Sequence, residues 1–285
     1  MRELAGYAAI DYGGKQFIER NGYLGMVRQL WKFRFALLNL ILKDFRIRYR
    51  NMSLGIMWSI INPMVMLGVL IFIFTYVYPR EGEQFFPIFV LLGLISYNFF
   101  SLSISVATTS VVDNSPLVKK VIFPRIILPL SVVFSQVIHF VIMCGLLVVF
   151  LIFFQVPWSW YMLWLPVVYA IQLVAIIGLS LICAALNVYY RDVQYLVTSI
   201  MTVLFWFSPV FYSLTNAHQN MPKLMYGIYL LNPLAGCIDA TRMAVLQRMH
   251  PDFISLGIGT GSSVVFFVVG VYLFQRIQHN FADRL

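Results

Sequence analysis

The sequence predicts an all-α integral membrane protein with six transmembrane helices, and three observations carry that prediction. Of 285 residues, 61% are hydrophobic and only 11% are charged, against about 25% charged in soluble domains. Asp, Glu, Lys and Arg are absent from the long stretches 54–79, 84–112, 126–190, 193–222 and 253–275, and a crossing helix needs about 20 mostly apolar residues. The Lys and Arg that remain gather on one side of the map these stretches define. Such a composition excludes a soluble globular domain and a disordered chain. Cys144, Cys183 and Cys237 are odd in number and widely spaced, which excludes a disulfide framework and a structural zinc site.

Taken in order, residues 1–26 read as a polar cytoplasmic N-terminal extension, and residues 27–285 as the membrane domain. The extension lacks an apolar run followed by a small-residue cleavage site, so no cleaved signal peptide is expected. Residues 27–50 read as an amphipathic helix. Leu38, Leu42, Phe45 and Tyr49 form one stripe, and Lys43, Arg46 and Arg50 the opposite one. Such a helix lies in the interface plane, as a basic anchor or as a mechanical element. Six spans follow at about 54–79, 87–112, 126–154, 160–187, 194–214 and 254–275, with a turn near 155–159 dividing the longest stretch. Ten Lys and Arg precede the first span, and Lys119, Lys120, Arg125, Arg191, Arg276 and Arg284 fall on the same side, for sixteen in all. Only Arg80, Lys223, Arg242 and Arg248 lie opposite. The positive-inside rule makes both termini cytoplasmic. The net charge of +9 is then a topology signal, and no nucleic-acid partner is expected.

What the spans lack narrows the function. His139 is the only ionisable side chain deep inside one. Ion-coupled carriers need intramembrane acids or bases as relays, and no internal repeat of the kind they show is present. The chain contains no G-x-x-x-x-G-K-[ST] phosphate cradle, so energy for transport must come from another chain. A membrane-embedded transferase would need paired carboxylates, or a histidine with an acid, near the interface. Asp44, Asp113, Asp192 and Asp239 sit mostly beside Arg or Lys, and no His–acid pair is evident. No enzyme activity and no metal site are expected in this chain.

Two segments outside the spans have local form. In 113–125, Ser115 suits an N-cap and Pro116 the first helical position, while Pro124 disfavours helix at Phe123. A helix of about two turns results, presenting Lys119 and Lys120 beside Leu117, Val118 and Val121. It is either a docking knob for a partner or a solvated turn. The external segment 213–252 is too long for a turn. Its apolar part, 224–231, is too short to span and is interrupted by Asn232 and Pro233. Asp239 and Arg242 follow three apart, on one helix face and within pairing distance. Two short half-inserted helices at an outer gate fit, as does an interfacial hairpin. Aromatics form 16% of the chain, clustered at 72–78, 85–86, 97–100 and 205–207. They are interfacial belts or faces on which sugar rings can stack.

The order of motifs resembles that of the permease subunits of polysaccharide ABC exporters, the group moving O-antigen, capsule and teichoic acid polymers. The residues that carry the resemblance begin with Lys43-Asp44-Phe45-Arg46-Ile47-Arg48-Tyr49-Arg50, Leu54-Gly55, Trp58 and Asn62-Pro63. They continue with the run from Ser115 to Arg125, Leu128-Pro129, the run from Asn187 to Asp192, the run from Phe205 to Val210, Tyr212 and Asn232-Pro233. The resemblance runs from about Leu30 to the C-terminus. It implies a pair of these chains with two copies of a separate ATPase that holds the ATP and Mg, so no cofactor resides in this chain. It makes Lys43, Asp44, Arg46, Arg48, Tyr49 and Arg50 part of an interface helix. Ser115, Pro116, Leu117, Val118, Lys119 and Lys120 become the cytoplasmic coupling helix in a cleft of the ATPase. Asn232, Pro233, Asp239 and Arg242 fall in external re-entrant gate helices between spans 5 and 6. Phe72, Tyr76, Tyr97, Phe99 and Phe207 become candidates for the wall of a channel at the centre of the pair. The implied substrate is a lipid-linked polysaccharide of O-antigen or lipopolysaccharide type, crossing a bacterial inner membrane. A capsular polysaccharide, a teichoic acid or a small lipophilic drug is the alternative cargo of the same fold.

Overall fold

The computed structural model describes residues 31–50, 52–77, 85–121 and 123–285. The expected extension 1–26 and the start of the interface helix lie outside the described residues. Among those residues the chain is helical throughout, with no strand. α1 (Arg34–Tyr49) precedes α2 (Trp58–Phe72), which runs on into a π turn at Ile73–Val77. α3 (Phe86–Asp113) is followed after Asn114 by the short α4 (Ser115–Lys120). α5 (Ile127–Phe153) and α6 (Trp164–Tyr189) form the next pair, then α7 (Val193–Phe207). Three short helices come next: α8 (Leu214–Asn220), α9 (Lys223–Leu230) and α10 (Pro233–Arg242). α11 (Phe253–Ile277) and α12 (Phe281–Arg284) close the chain.

Five of these helical segments are long and apolar enough to cross a membrane: Gly55–Val77, Phe86–Asp113, Ile127–Phe153, Trp160–Tyr189 and Phe253–Arg284. The fold is that of a multi-pass membrane protein. Where the sequence predicts a span, at 194–214, the chain forms α7, which is apolar but only 15 residues long and is not one of the five. It stops because Pro209 disfavours helical geometry at the residue before it, and Ser208 is extended with ψ 151°.

α3 is the centre of the bundle, touching α2, α5, α6, α7 and α10. Most of its first half is buried, from Ile88 to Tyr97 without a break. α6 and α11 pack backbone to backbone. A Cβ on Gly270 would collide with the Gly178 carbonyl, and one on Gly178 with the backbone of Phe266 and Phe267. Only glycine permits that approach.

α10 is an unusual short helix because it is buried almost all round, from Pro233 to Ile238 and again from Ala240 to Arg242. It packs against α3, α6 and α11. The segment 213–252, expected outside the membrane as two short helices or a hairpin, therefore has three helices. Only α8 and α9 keep exposed faces, at residues such as Leu224, Met225 and Ile228.

Candidate functional site

α1 lies against α5 and advances along it in the same direction. Asp44 meets Ser131, Arg48 meets Gln136 and Tyr49 meets His139. The inward face of α1 carries Leu37, Leu40, Ile41, Asp44, Phe45, Arg48 and Tyr49, while Leu38 and Leu42 are exposed. The stripe read from the sequence is thus split. α5 offers polar partners at Ser131, Gln136 and His139, so Asp44 and Arg48 turn inward where an apolar periodicity points Leu38 and Leu42.

At the end of α1 a cavity of about 490 Å³ opens between α1, α2, α3, α5 and α7. Its polar wall holds Arg48, Tyr49, Ser59, Asn62, Asn98, Gln136 and His139, and its apolar wall includes Trp58, Met66, Leu94, Leu102, Phe140 and Met143. Arg48 donates through Nη1 to Gln136 Oε1 at 2.9 Å. Tyr49 Oη lies 2.5 Å from His139 Nδ1 and in contact with Ser59 Oγ, which is itself 3.1 Å from His139 Nδ1. Pro63, inside α2, has no N–H to give the Ser59 carbonyl. Burial holds the Arg48 guanidinium below its ordinary pKa, with the Asp44 charge opposing. Asp44 is pushed up by burial, and Lys43, Ser131 and Arg48 pull the other way. Sequence reasoning noted His139 and the Asn62-Pro63 pair but missed Gln136 and Ser59. The available signal was spacing: Gln136 and His139, and likewise Ser59 and Asn62, lie three apart on one face of an otherwise apolar helix.

The same network reaches α4. Lys43 Nζ donates to Asn114 Oδ1 at 2.7 Å and lies 3.7 Å from Asp44. Asn114 Nδ2 donates to the Ser110 carbonyl at 2.8 Å. Asn114, not Ser115, occupies the cap position of α4, and its side chain makes no cap hydrogen bond. Its amide is already shared between Lys43 and the end of α3. Within α4, Val118 is buried while Lys119 and Lys120 are exposed. α12 packs beside α4, and Arg125 donates to the Gln278 carbonyl. The end of α1, the whole of α4 and the C-terminal turn therefore occupy one end of the bundle.

Arg242 organises the other end. Its side chain is 2% exposed. Nε donates to the Phe89 carbonyl at 3.2 Å, Nη1 to that of Tyr212 at 2.9 Å and Nη2 to that of Val210 at 2.6 Å. The guanidinium also lies 3.4 Å from the centre of the Phe89 ring. Gly93 makes room, since a Cβ there would lie 2.5 Å from Val210 O and 2.9 Å from Arg242 Nη2. Asn232 caps α10 by accepting from Leu234 N–H at 3.0 Å and donates to Ser208 Oγ at 3.0 Å. Pro233 takes the first helical position. Burial raises the Asp239 carboxyl to about 6, with Arg242 lowering it and Asp252 raising it further.

The five aromatic candidates divide into two sets. Tyr97 and Phe99 are buried at the cavity wall. Tyr97 donates to the Met201 carbonyl and meets Phe205 edge-on, and Phe99 meets Phe140. Phe72, Tyr76 and Phe207 are exposed, on the outer faces of α2, its π turn and α7. Phe72 and Tyr76 continue a stripe begun by Val65 and Val69, and Phe207 one begun by Leu196, Ile200 and Val203. Among the described residues no group of three metal-ligating side chains comes together.

Comparison with known proteins fits this arrangement. The chain is 30% identical over 261 residues to the O-antigen export system permease protein RfbA of Myxococcus xanthus, covering 91% of this chain and 99% of that one. It is 30% identical over 245 residues to the RfbA of Klebsiella pneumoniae, covering 85% and 92%. The polysialic acid transport protein KpsM of Escherichia coli is 22% identical over 240 residues, covering 82% and 88%. The model of ABC-2 type transporters matches residues 36–246. A central α3, an α4 with exposed lysines at one end and a buried α10 at the other are the frame of a chain that belongs to the ABC-2 type transporter family.

Proposed function

We propose that this chain is the membrane-spanning permease subunit of an ATP-driven exporter that moves a lipid-linked polysaccharide of O-antigen type across a bacterial inner membrane. The observation that carries the reading is the 30% identity to an O-antigen export permease over 91% of this chain and 99% of that relative. Identity to a polysialic acid transporter is lower, at 22%, which favours the O-antigen class over capsule. The permease itself is not an enzyme, and ATP with its Mg is held by a separate ATPase.

In this reading α4 is the coupling helix. Lys119 and Lys120 face the ATPase, Val118 anchors the helix to the bundle, and Lys43 ties its cap residue to α1, the interface helix. Both termini are cytoplasmic, on the side of α4. α7 and the extended residues after it make the remaining crossing, six in all. α8 to α10 close the external side as a gate. Two copies of the chain pair, with two ATPases. The exposed stripes of α2 and α7, with Phe72, Tyr76 and Phe207, face the partner copy and the polymer. A polymer that must slide is served by aromatic faces, each worth about 0.5–1.5 kcal/mol beyond burial and tolerant of register. A lining of amides would hold particular hydroxyls, and each buried polar group left unpaired costs about 1–3 kcal/mol.

The test is export in a strain lacking the chain. Wild type should restore the surface polysaccharide. Leu117→Pro, which breaks α4, should reach the membrane at normal abundance yet leave the glycan on the cytoplasmic face. Normal export by Leu117→Pro, with the ATPase still bound, would overturn the coupling assignment. Unchanged surface glycan without the chain would overturn the export reading.

A further inference from the structure

The cavity at the end of α1 holds one cation whose binding capacity is largely unspent. A guanidinium carries five N–H donors in a planar fork. Arg48 uses one, to Gln136 Oε1 at 2.9 Å. Among the described residues no carboxylate lies within ion-pair distance of it, since Asp44 is engaged by Lys43 and Ser131. Every other polar group in the cavity wall is neutral or an imidazole: Tyr49, Ser59, Asn62, Tyr97, Asn98, Gln136 and His139. A half-buried cation without an anion is costly, and it is relieved when an anion arrives.

We infer that the Arg48 end of this cavity binds the phosphate of a lipid headgroup. Three features select that chemistry. The fork of an arginine matches phosphate oxygens two at a time. Hydroxyl and amide groups from Tyr49, Ser59 and Asn62 stand in the same wall and can bond further oxygens without adding charge. The rest of the wall is apolar, with Leu94, Leu102, Phe140 and Met143 among its residues, as a hydrocarbon chain requires. A free sugar would not need the cation, and a bare hydrocarbon would not tolerate it. The position fits as well. Met52 and Trp58 line the cavity and are themselves half-exposed, at the junction of α1 and α2, so the cavity opens to the outside of the bundle there. A lipid in the bilayer meets the protein there.

The site deepens the export reading and takes its substrate from it: the phosphate is the one that links the polymer to its lipid. The same chemistry is offered by bilayer phospholipids, and the experiment separates the two. The full-length permease is placed in phosphatidylcholine nanodiscs and titrated with radiolabelled farnesyl diphosphate. Saturable binding is expected, displaced by unlabelled farnesyl diphosphate and not by farnesol. Arg48→Gln should weaken it by about tenfold or more, the loss of charge-assisted hydrogen bonds. Arg48→Lys should weaken it less, because a point charge remains. Asn62→Asp, which keeps Arg48 but adds a carboxylate to the same cavity, should weaken it comparably to Arg48→Gln. It carries the test if Arg48→Gln does not fold.

Phosphatidylglycerol added to the nanodiscs should leave binding unchanged if the site reads the polymer's linker. Displacement by it keeps the phosphate site and assigns it to bilayer lipid. Equal binding by wild type, Arg48→Gln and Asn62→Asp, or equal displacement by farnesol or by inorganic diphosphate, overturns the inference. Binding is read without export. A permease that binds farnesyl diphosphate through Arg48 but exports no glycan leaves the site standing and removes the polymer. One that exports glycan normally with no Arg48-dependent binding does the reverse.

Discussion

Two arginines, Arg48 and Arg242, mark opposite ends of the bundle, and the protein treats them in opposite ways. Arg242 is 2% exposed and gives its fork to the carbonyls of Phe89, Val210 and Tyr212, with the Phe89 ring beneath it. Arg48 is half-buried beside an open cavity and gives one bond to Gln136. Carbonyl dipoles cannot leave, so the first arginine is a rivet between the start of α3, the break after α7 and the end of α10. The second is held in place while most of its donors stay available. Burial of a cation alone therefore says little about its task. The permanence of what surrounds it decides between structure and binding.

Arg242→Gln is the harshest way to test the rivet. Each bond from a charged donor is worth about 1.5–3 kcal/mol, and carbonyls left buried without a donor cost about 1–3 kcal/mol each. A glutamine amide can serve only part of the set, so a loss of about 3 kcal/mol or more in unfolding free energy is expected. Thermal unfolding in detergent measures it, together with the yield of full-length protein in the membrane. A variant as stable as wild type would show that the three carbonyls find other donors.

Gly93→Ala attacks the same rivet from the side. The new Cβ would press on Val210 O at 2.5 Å and Arg242 Nη2 at 2.9 Å, and neither can retreat without breaking the bond between them. Overpacking of this kind costs about 1–3 kcal/mol. The same assay should rank it below Arg242→Gln. Gly68→Ala, where the added methyl meets nothing within 4 Å, is the control and should be near neutral.

How far the sequence reveals these features depends on where the partners lie. α3, α5, α6 and α11 announce themselves as uncharged runs, and the observed Phe86–Asp113 coincides with the expected 87–112 to within a residue at each end. The short α7 follows from Pro209, whose effect is local and legible. α10 is not legible in this way. Asp239 and Arg242 share one face of it, yet that face is not solvated, and the depth of the helix depends on α3, α6 and α11. The inward turn of α1 is hidden for a related reason. Asp44 and Arg48 look like a solvated face until α5 supplies Ser131 and Gln136, residues 87 and 88 positions further along. Arg242 and Asp239 could be paired by spacing, but the carbonyls that hold Arg242 belong to Phe89, Val210 and Tyr212, and no pattern in a single sequence announces them.

Asp239 sharpens the comparison by reporting on the field beside the rivet. Its carboxyl ionises near 3.8 when unperturbed and at about 6 in the folded protein, chiefly through burial, against the pull of Arg242. Between those values the folded state holds a proton that the unfolded chain has released, so the stability it contributes falls as pH rises there. That contribution is fully present below the lower value and is lost as pH rises through the upper one. Wild type should accordingly lose stability, relative to Asp239→Asn, between about pH 4 and 6, and the variant should be the more stable of the two at pH 7.5. Unfolding midpoints measured at pH 4.5 and 7.5 check this. A constant difference between the two proteins across that range would place the Asp239 carboxyl in an ordinary, solvated setting.

Arg48→Gln should have the smallest effect on stability. The bond to Gln136 is lost, but the desolvation cost of the half-buried cation disappears with it, and a glutamine amide can still bond Gln136. The two changes offset, leaving a difference of about 1 kcal/mol or less in phosphatidylcholine, the range of a substitution that removes no fixed network. The difference should appear only when the ligand is present. A ligand that binds the folded state adds RT ln(1 + [L]/Kd), about 2.7 kcal/mol at a hundred times Kd. Farnesyl diphosphate should therefore raise the unfolding midpoint of wild type and raise that of Arg48→Gln by about half as much or less. The same substitution at Arg242 lowers the midpoint with or without the lipid. If Arg48→Gln instead unfolds as early as Arg242→Gln in phosphatidylcholine alone, Arg48 is a second rivet, and the division between a satisfied arginine and an available one fails.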